Sequence, residues 1–403
     1  MINILSLRAL PLFSCFFLWS LGTAAMHVAR PLFAASFGVS AVLVTLVVAS
    51  NSIAHLAAGP ITGFAMDRWG RKPLLIMGNV LRGLSALALF FTTSYEQFLV
   101  LEFIGGLGVA MFTTGSSILL ADLSVAENRG RAVAARSMSS RLGFVLGPAL
   151  GAAMAMVWDL RVIFLFNAAT KVVIIAIVLW LIRETRPEQT SAERLSETPT
   201  QLTLGMFLNR PFLMLSLVAF TFSMMNVGIF QSLFPVYLKA EGGLSTADVG
   251  NLISIAALAT FVVTYPNGWM VDRYGRKLSL IPGMLLLGLS AYLMGLSVDH
   301  GIVVLSVVTY GLAEGICFGT TQAYAMDLAP EQRRGSFLGI WSVISSGSGF
   351  LAPLVVGVTA ERLGFEATCA MVGAAIVLVG IAMGLFGPDT RARRQRVALA
   401  TAT

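Results

Sequence analysis

Eight ionisable residues sit inside stretches that are otherwise apolar: Glu102, Glu314, Arg30, Arg82, Arg141, Lys171, His27 and His55. Placing a charge at the centre of a membrane span costs about 2.5–3.5 kcal/mol on insertion scales, so such residues are functional candidates by default. A carboxylate there can take up and release a proton or meet a cationic substrate, and a solvated histidine titrates near neutral pH. Arg30 lies about one helical turn beyond His27, and counting residues along the two runs gives Arg30 and Glu102 similar depths. The expectation is an Arg30–Glu102 ion pair, broken and remade on protonation of Glu102, with His27 and Glu314 as further coupling groups. The blander alternatives are a static pair that only fixes two helices and a Glu314 hydrogen-bonded in a helix contact. Asn51, Asn226, Gln231, Asn251, Tyr265, Gln322 and Tyr324 are the uncharged candidates for lining a substrate cavity. The 26 Phe and 18 Met suit an apolar substrate and equally an ordinary helical core.

The elements that must hold these groups follow from composition. Hydrophobic residues make up 57% of the 403 positions and charged residues 12%, where a soluble domain carries about 25% charge. Mean hydropathy is +0.83. A spanning helix needs about 20 predominantly apolar residues. Runs of that kind lie near 9–33, 41–66, 73–93, 97–122, 133–157 and 162–183, then near 210–238, 247–271, 277–297, 302–326, 336–360 and 367–387. The expected fold class is therefore an all-α membrane protein of twelve transmembrane helices. The runs are continuous rather than alternating, which argues against a barrel of strands. The first run is too long for a cleavable signal peptide and is followed within ten residues by a second span. Cys15, Cys317 and Cys369 are scattered through spans and suggest neither a disulfide framework nor a metal site. There is no phosphate-cradling Gly-rich loop ending in Lys-Ser/Thr and no His-Glu-x-x-His, so enzymatic chemistry and a cofactor find no support.

Basic residues orient the spans. With a cytoplasmic N-terminus, inner segments hold 20 of the 27 Lys and Arg, against three in the outer loops: Arg161, Lys239 and Arg362. The positive-inside rule then puts both termini in the cytoplasm, in the cell (inner) membrane. It also accounts for the net charge of +7 without invoking nucleic acid.

The chain repeats itself. Gly63-Phe-Ala-Met-Asp67-Arg68-Trp-Gly70-Arg71-Lys72 returns as Gly268-Trp-Met-Val-Asp272-Arg273-Tyr-Gly275-Arg276-Lys277, an offset of 268 − 63 = 205. The same offset takes Asp122 to Asp327, Arg129 to Arg334, Pro148 to Pro353 and Glu184-Thr185-Arg186 to Asp389-Thr390-Arg391. The chain thus reads as a six-helix bundle over 1–183, a polar linker over 184–209, and a second bundle over 210–403 that ends in a short basic tail.

In these loops the small Gly63 and Gly268 permit close helix approach. Asp67 and Asp272 can accept hydrogen bonds from arginines or a helix N-terminus, and Gly70 and Gly275 permit a tight turn. Asp122 and Asp327 are expected to complete an inner-face charge network with Arg68 and Arg273. Arg71, Lys72, Arg276 and Lys277 are expected mainly to anchor topology. The pattern Gly-x-x-x-Asp-Arg-x-Gly-Arg-Lys, present between spans two and three and again between eight and nine, resembles the signature loop of the major facilitator superfamily. That resemblance covers essentially the whole chain. It implies two parallel six-helix halves with a midplane substrate site, and assigns the loops, with Arg129 and Arg334, to a latch on the cytoplasmic side. It makes the third and sixth spans peripheral, so Arg82 and Lys171 are not expected to act. Glu102-Phe-Ile-Gly105-Gly106-Leu-Gly108 departs from the family's Arg-x-x-x-Gly-x-Gly by putting an acid where the base stands.

Gly143-Phe-Val-Leu-Gly147-Pro148-Ala-Leu-Gly151 resembles the antiporter motif of family exporters, although Ala152 replaces its last glycine. The resemblance favours proton-coupled efflux of amphipathic or drug-like compounds. An uptake symporter for an organic anion or sugar is the alternative, and a non-transporting sensor or scaffold the alternative of another class. The expected partners are a small-molecule substrate, protons and the lipid bilayer, with the chain acting as a monomer.

Overall fold

The computed structural model describes residues 5–124, 129–184, 209–329 and 334–387. Among them are twelve helices long and apolar enough to cross a membrane. They are α1 (Leu5–Ala35), α2 (Ala41–Trp69), α3 (Arg71–Phe90), α4 (Tyr95–Leu123), α5 (Arg129–Val157) and α6 (Val162–Leu181), followed by α7 (Arg210–Ala240), α8 (Thr246–Tyr274), α9 (Arg276–Leu296), α10 (His300–Leu328), α11 (Arg334–Leu363) and α12 (Phe365–Phe386). The twelve apolar runs become these twelve helices because only a helix satisfies all its backbone groups within one segment when no water is at hand.

Side-chain burial agrees with a lipid solvent. Trp180 is 84% exposed on α6 and Leu385 70% exposed on α12, among other exposed apolar side chains. In water such faces would be covered.

The 205-residue repeat is structural as well as sequential. α2 ends at Trp69 and α8 at Tyr274, α4 spans Tyr95–Leu123 and α10 His300–Leu328, and α3 and α9 start at Arg71 and Arg276. Between α2 and α3 a single residue, Gly70, turns the chain at φ 95°, and Gly275 does the same at φ 94°. That left-handed conformation penalises any side chain with a Cβ, which explains the glycine in both copies.

The chain forms two compact units. One comprises Met1–Glu188 with Gln231–Ala257, the other Gln189–Phe230 with Leu258–Thr403. The division therefore passes through α7 and α8 rather than falling only in the polar linker. In α7 it falls within a π-helical stretch, Met224–Leu233, flanked by α-helical Arg210–Ser223 and Phe234–Ala240.

In the first unit, the glycines of the antiporter-like motif seat α5 directly on α1. A Cβ on Gly143 would stand 2.6 Å from the Phe17 carbonyl oxygen, one on Gly147 would stand 2.6 Å from that of Leu21, and one on Gly151 would stand 3.1 Å from the Ala25 Cβ. In the second unit, Gly288 of α9 and Gly373 of α12 face each other, each 2.8 Å from the other's carbonyl oxygen if a Cβ were added. Small residues that let backbones meet are how helices associate where no hydrophobic drive separates protein from lipid.

Overpacking costs about 1–3 kcal/mol, more than the roughly 0.5–1 kcal/mol a helix gains from Gly→Ala. Gly147→Ala therefore lowers the melting temperature of the purified protein in detergent. Gly319→Ala on α10, where an added Cβ meets nothing within 4 Å, leaves it unchanged or raises it.

Candidate functional site

Beside the turns that join α2 to α3 and α8 to α9, one arrangement occurs twice. Arg71 Nε donates to Asp122 Oδ2 at 3.2 Å, and Arg276 Nε donates to Asp327 Oδ2 at 3.2 Å. This corrects the expected partners, since Asp122 and Asp327 pair with the arginines after the turn, not with Arg68 and Arg273. The left-handed glycine places Arg71 and Arg276 in the first turn of α3 and α9. Arg68 and Arg273 are exposed, and Arg273 lies over the rings of Trp269 and Tyr274. Lys72 Nζ donates to the Leu179 carbonyl at 2.7 Å and Lys277 Nζ to that of Gly387 at 3.0 Å. Gly63, Asp67, Arg129, Asp272 and Arg334 lie on helices, with their side chains outside the described residues. Gly268 is exposed and an added Cβ would meet nothing within 4 Å, so among the described residues it seats no neighbouring helix.

A further contact went unread in the sequence. The Glu184 carboxylate accepts from the backbone N–H groups of Arg71, at 3.0 Å, and Lys72, at 2.9 Å. It caps α3 at the N-terminus, where orphan donors and the helix dipole favour an anion. The recurrence of Glu184 as Asp389 at the common offset was the available signal; Asp389 lies outside the described residues.

In the second unit, Glu314 of α10 is held through both oxygens. Asn226 Nδ2 of α7 lies 3.4 Å from Oε1, and Thr260 Oγ1 of α8 lies 3.0 Å from Oε2. Asn226 Nδ2 also donates to the Tyr310 hydroxyl at 2.6 Å, and the Tyr310 ring stacks on Phe230 at 3.9 Å. Asn226 and Phe230 both belong to the π-helical stretch of α7. Such stretches are rare and cluster at functional sites. Nothing in the local sequence marks Met224–Leu233 as π-helical.

In the first unit, Arg30 of α1, Arg82 of α3 and Glu102 of α4 form one buried group. Arg30 Nε lies 3.2 Å and Arg82 Nη1 3.3 Å from the same oxygen, Glu102 Oε2. Glu102 is 0%, Arg82 1% and Arg30 5% exposed. Arg82, expected to be peripheral, thus completes the set. Lys171 of α6 is also fully buried, with its Nζ 4.1 Å above the Trp19 ring, which stacks on Phe112 at 3.8 Å. A Cβ on Gly105 would strike the Arg82 guanidinium and the Ser85 hydroxyl, so the glycine beside Glu102 makes room for the arginine.

The remaining candidates are dispersed. His27 is half-buried beside the Phe144 ring at 5.8 Å, and His55 Nε2 meets Thr113 Oγ1 at 3.1 Å. Asn51 is half-buried on α2 where α4 approaches at Gly106, and Gln231 is half-buried in the π-helical stretch. Tyr324 is fully buried in its own unit, whereas Tyr265, Gln322 and Asn251 are exposed. Arg141 is half-buried on α5. Pro148 stands among the α5 glycines that pack on α1.

Removing one partner from a buried ion pair costs about 3–5 kcal/mol, because the other charge stays buried. A part-exposed pair is worth about 0.2–1 kcal/mol. Glu102→Gln therefore lowers the melting temperature in detergent several-fold more than Asp122→Asn. Equal shifts would show that the buried triad does not hold α1, α3 and α4 together.

The sequence pattern of the Major Facilitator Superfamily matches residues 12–247 and again residues 217–402. The chain is 24% identical over 323 residues to Multidrug resistance protein 1 of Bacillus subtilis (strain 168), covering 79% of this chain and 80% of that one. It is 23% identical over 256 residues to Multidrug resistance protein 2 of the same organism, covering 62% and 64%. The crystal structure of a D-xylose–proton symporter is similar in fold, with a TM-score of 0.76 at 18% identity over 95% of this chain and 98% of that one. Matched by the family pattern in both halves, the chain belongs to the major facilitator superfamily: it is a multi-pass membrane transporter of small molecules and not an enzyme.

Proposed function

We propose that the chain exports amphipathic or drug-like compounds in exchange for protons, with Glu314 carrying the proton. The observation that carries this reading is the hydrogen-bonding of Glu314 to Asn226 and Thr260 beside the π-helical stretch of α7. Asn226 and Thr260 are neutral donors, able to hold a carboxylate in place without cancelling its charge. A carboxylate held in this way can take up a proton and release it again. Protonation turns an accepting oxygen into a donor, so the bonds from Asn226 and Thr260 must be rearranged. A π-helical stretch already departs from the regular i→i−4 ladder, which suits it to absorb that change.

Glu102 takes the other role in this reading. Facing two guanidiniums at once, it ties α1, α3 and α4 together and stays charged through the cycle. The similarity to two multidrug resistance proteins supports the substrate class. The α5 glycines support efflux less directly, because their packing on α1 is a structural reason for them in any transporter.

The signature loops act as the cytoplasmic latch of an alternating-access cycle, supported by the twofold recurrence of the Arg71–Asp122 contact at Arg276–Asp327. Both termini lie in the cytoplasm of a cell whose inner membrane holds the chain, supported by 20 inner against three outer basic residues. The chain acts as a monomer, since each coupling group proposed here has its partners within the same chain.

The test is proton movement across liposomes holding the purified protein when lipophilic cations, neutral drugs and organic anions are added in turn. Wild type moves protons against a lipophilic compound. Glu314→Gln loses the proton movement while still exchanging labelled compound for unlabelled. Co-movement of protons with an anion would replace export by symport, and proton counterflow surviving in Glu314→Gln would remove Glu314 from the mechanism.

A further inference from the structure

The buried group in the first unit is out of balance. Arg30 and Arg82 bring two basic side chains to one carboxylate, Glu102, while Lys171 adds a third basic group beside Arg82, and all four are at most 5% exposed. Arg82 and Lys171 lie within electrostatic reach of each other, with Gly83 of α3 seated against the Lys171 stem. Two like charges held together away from water raise the cost of burying either one.

The hydrogen bonds are out of balance as well. Both arginines converge on Glu102 Oε2, and Arg30 Nε, though 3.2 Å away, is not aligned to donate to it. Among the described residues, Arg82 Nε and Nη2 have no acceptor. Lys171 Nζ reaches the Trp19 carbonyl and the Thr170 hydroxyl only at 3.5 Å. Asn167, one helical turn before Lys171 on the same face of α6, has neither its Nδ2 nor its Oδ1 partnered. The unpartnered acceptors in the group are Glu102 Oε1 and Asn167 Oδ1. Buried donors without acceptors are rare in native proteins, and each calls for a missing partner. A neutral water would answer the donors but not the charge.

We propose that this cluster on α1, α3, α4 and α6 is a binding site for a monovalent anion, held by Arg82, Lys171 and Asn167 with Arg30 beside them. The ligand chemistry is a single negative charge with several lone pairs, supplied either by an inorganic halide or by the carboxylate of a small organic acid. An anion there would meet the free N–H groups of Arg82 and offset the excess of basic groups. The site belongs to the first unit and does not depend on Glu314, so the proton-exchange reading and this one stand or fall separately.

The test is the melting temperature of the full-length protein in detergent at constant ionic strength. Sodium gluconate, whose carboxylate sits on a bulky six-carbon polyhydroxy chain that side chains this deeply buried exclude, is replaced stepwise by sodium chloride, and in a second arm by sodium acetate. A ligand that binds only the folded state raises the midpoint with the logarithm of its concentration. Wild type is expected to gain several degrees in chloride. Lys171→Met and Arg82→Gln are expected to lose that gain, while Lys239→Met, on the exposed outer end of α7, keeps it. Lys171→Met provides the reading if Arg82→Gln fails to fold. A gain in acetate alone would keep the site and identify its ligand as a carboxylate. Equal midpoints in gluconate, chloride and acetate would overturn the proposal, as would a gain that persists undiminished in Lys171→Met.

Discussion

Charge inside a bilayer has to be matched within the protein, since no water is present to match it, and the interior of this chain is organised around that requirement. Glu102 is reached by guanidiniums from two other helices, so a single carboxylate fixes the mutual register of α1, α3 and α4. Space for that arrangement comes from Gly105, where any side chain would displace Arg82. The same economy operates beside the one-residue turns, where Asp122, Asp327 and Glu184 each meet an arginine side chain or the start of a helix. Packing by glycine then closes the helices over these polar groups, most tightly between α1 and α5.

The duplication has been kept where it builds the frame and abandoned where the chemistry lies. The left-handed glycines and the arginine–aspartate contacts recur at an offset of 205. By the same offset Arg30, Arg82 and Glu102 correspond to Pro235, Leu287 and Val307, and Glu314 corresponds to Val109. Each half of the repeat therefore carries an acid where the other half has a valine. One is surrounded by basic groups and the other is held by Asn226 and Thr260. An arginine-bound carboxylate suits a structural strut or an anion site, and one held by neutral donors suits proton exchange.

Much of the frame was legible in the sequence because span length and repeat offset are one-dimensional quantities. The twelve runs, the one-residue turns at Gly70 and Gly275 and the similar depths of Arg30 and Glu102 all follow from counting along the chain. What could not be read depends on the direction a helix presents. The family resemblance makes the third span peripheral, and a peripheral helix can still turn one basic side chain, Arg82, onto α4. Asp122 was matched to Arg68 rather than Arg71 because the effect of a left-handed glycine on the next residue is a three-dimensional one. The π-helical stretch of α7 has no compositional mark, and the α5 glycines read as a motif before their contact with α1 was visible.

In the proposed cycle Glu314, and not Glu102, changes protonation during transport. Infrared difference spectroscopy on the purified transporter, comparing it with and without a transported compound, reads this directly through the carbonyl stretch of a protonated carboxyl group. The expected result is a compound-induced band in that region that vanishes in Glu314→Gln. A band that persists in Glu314→Gln would contradict it.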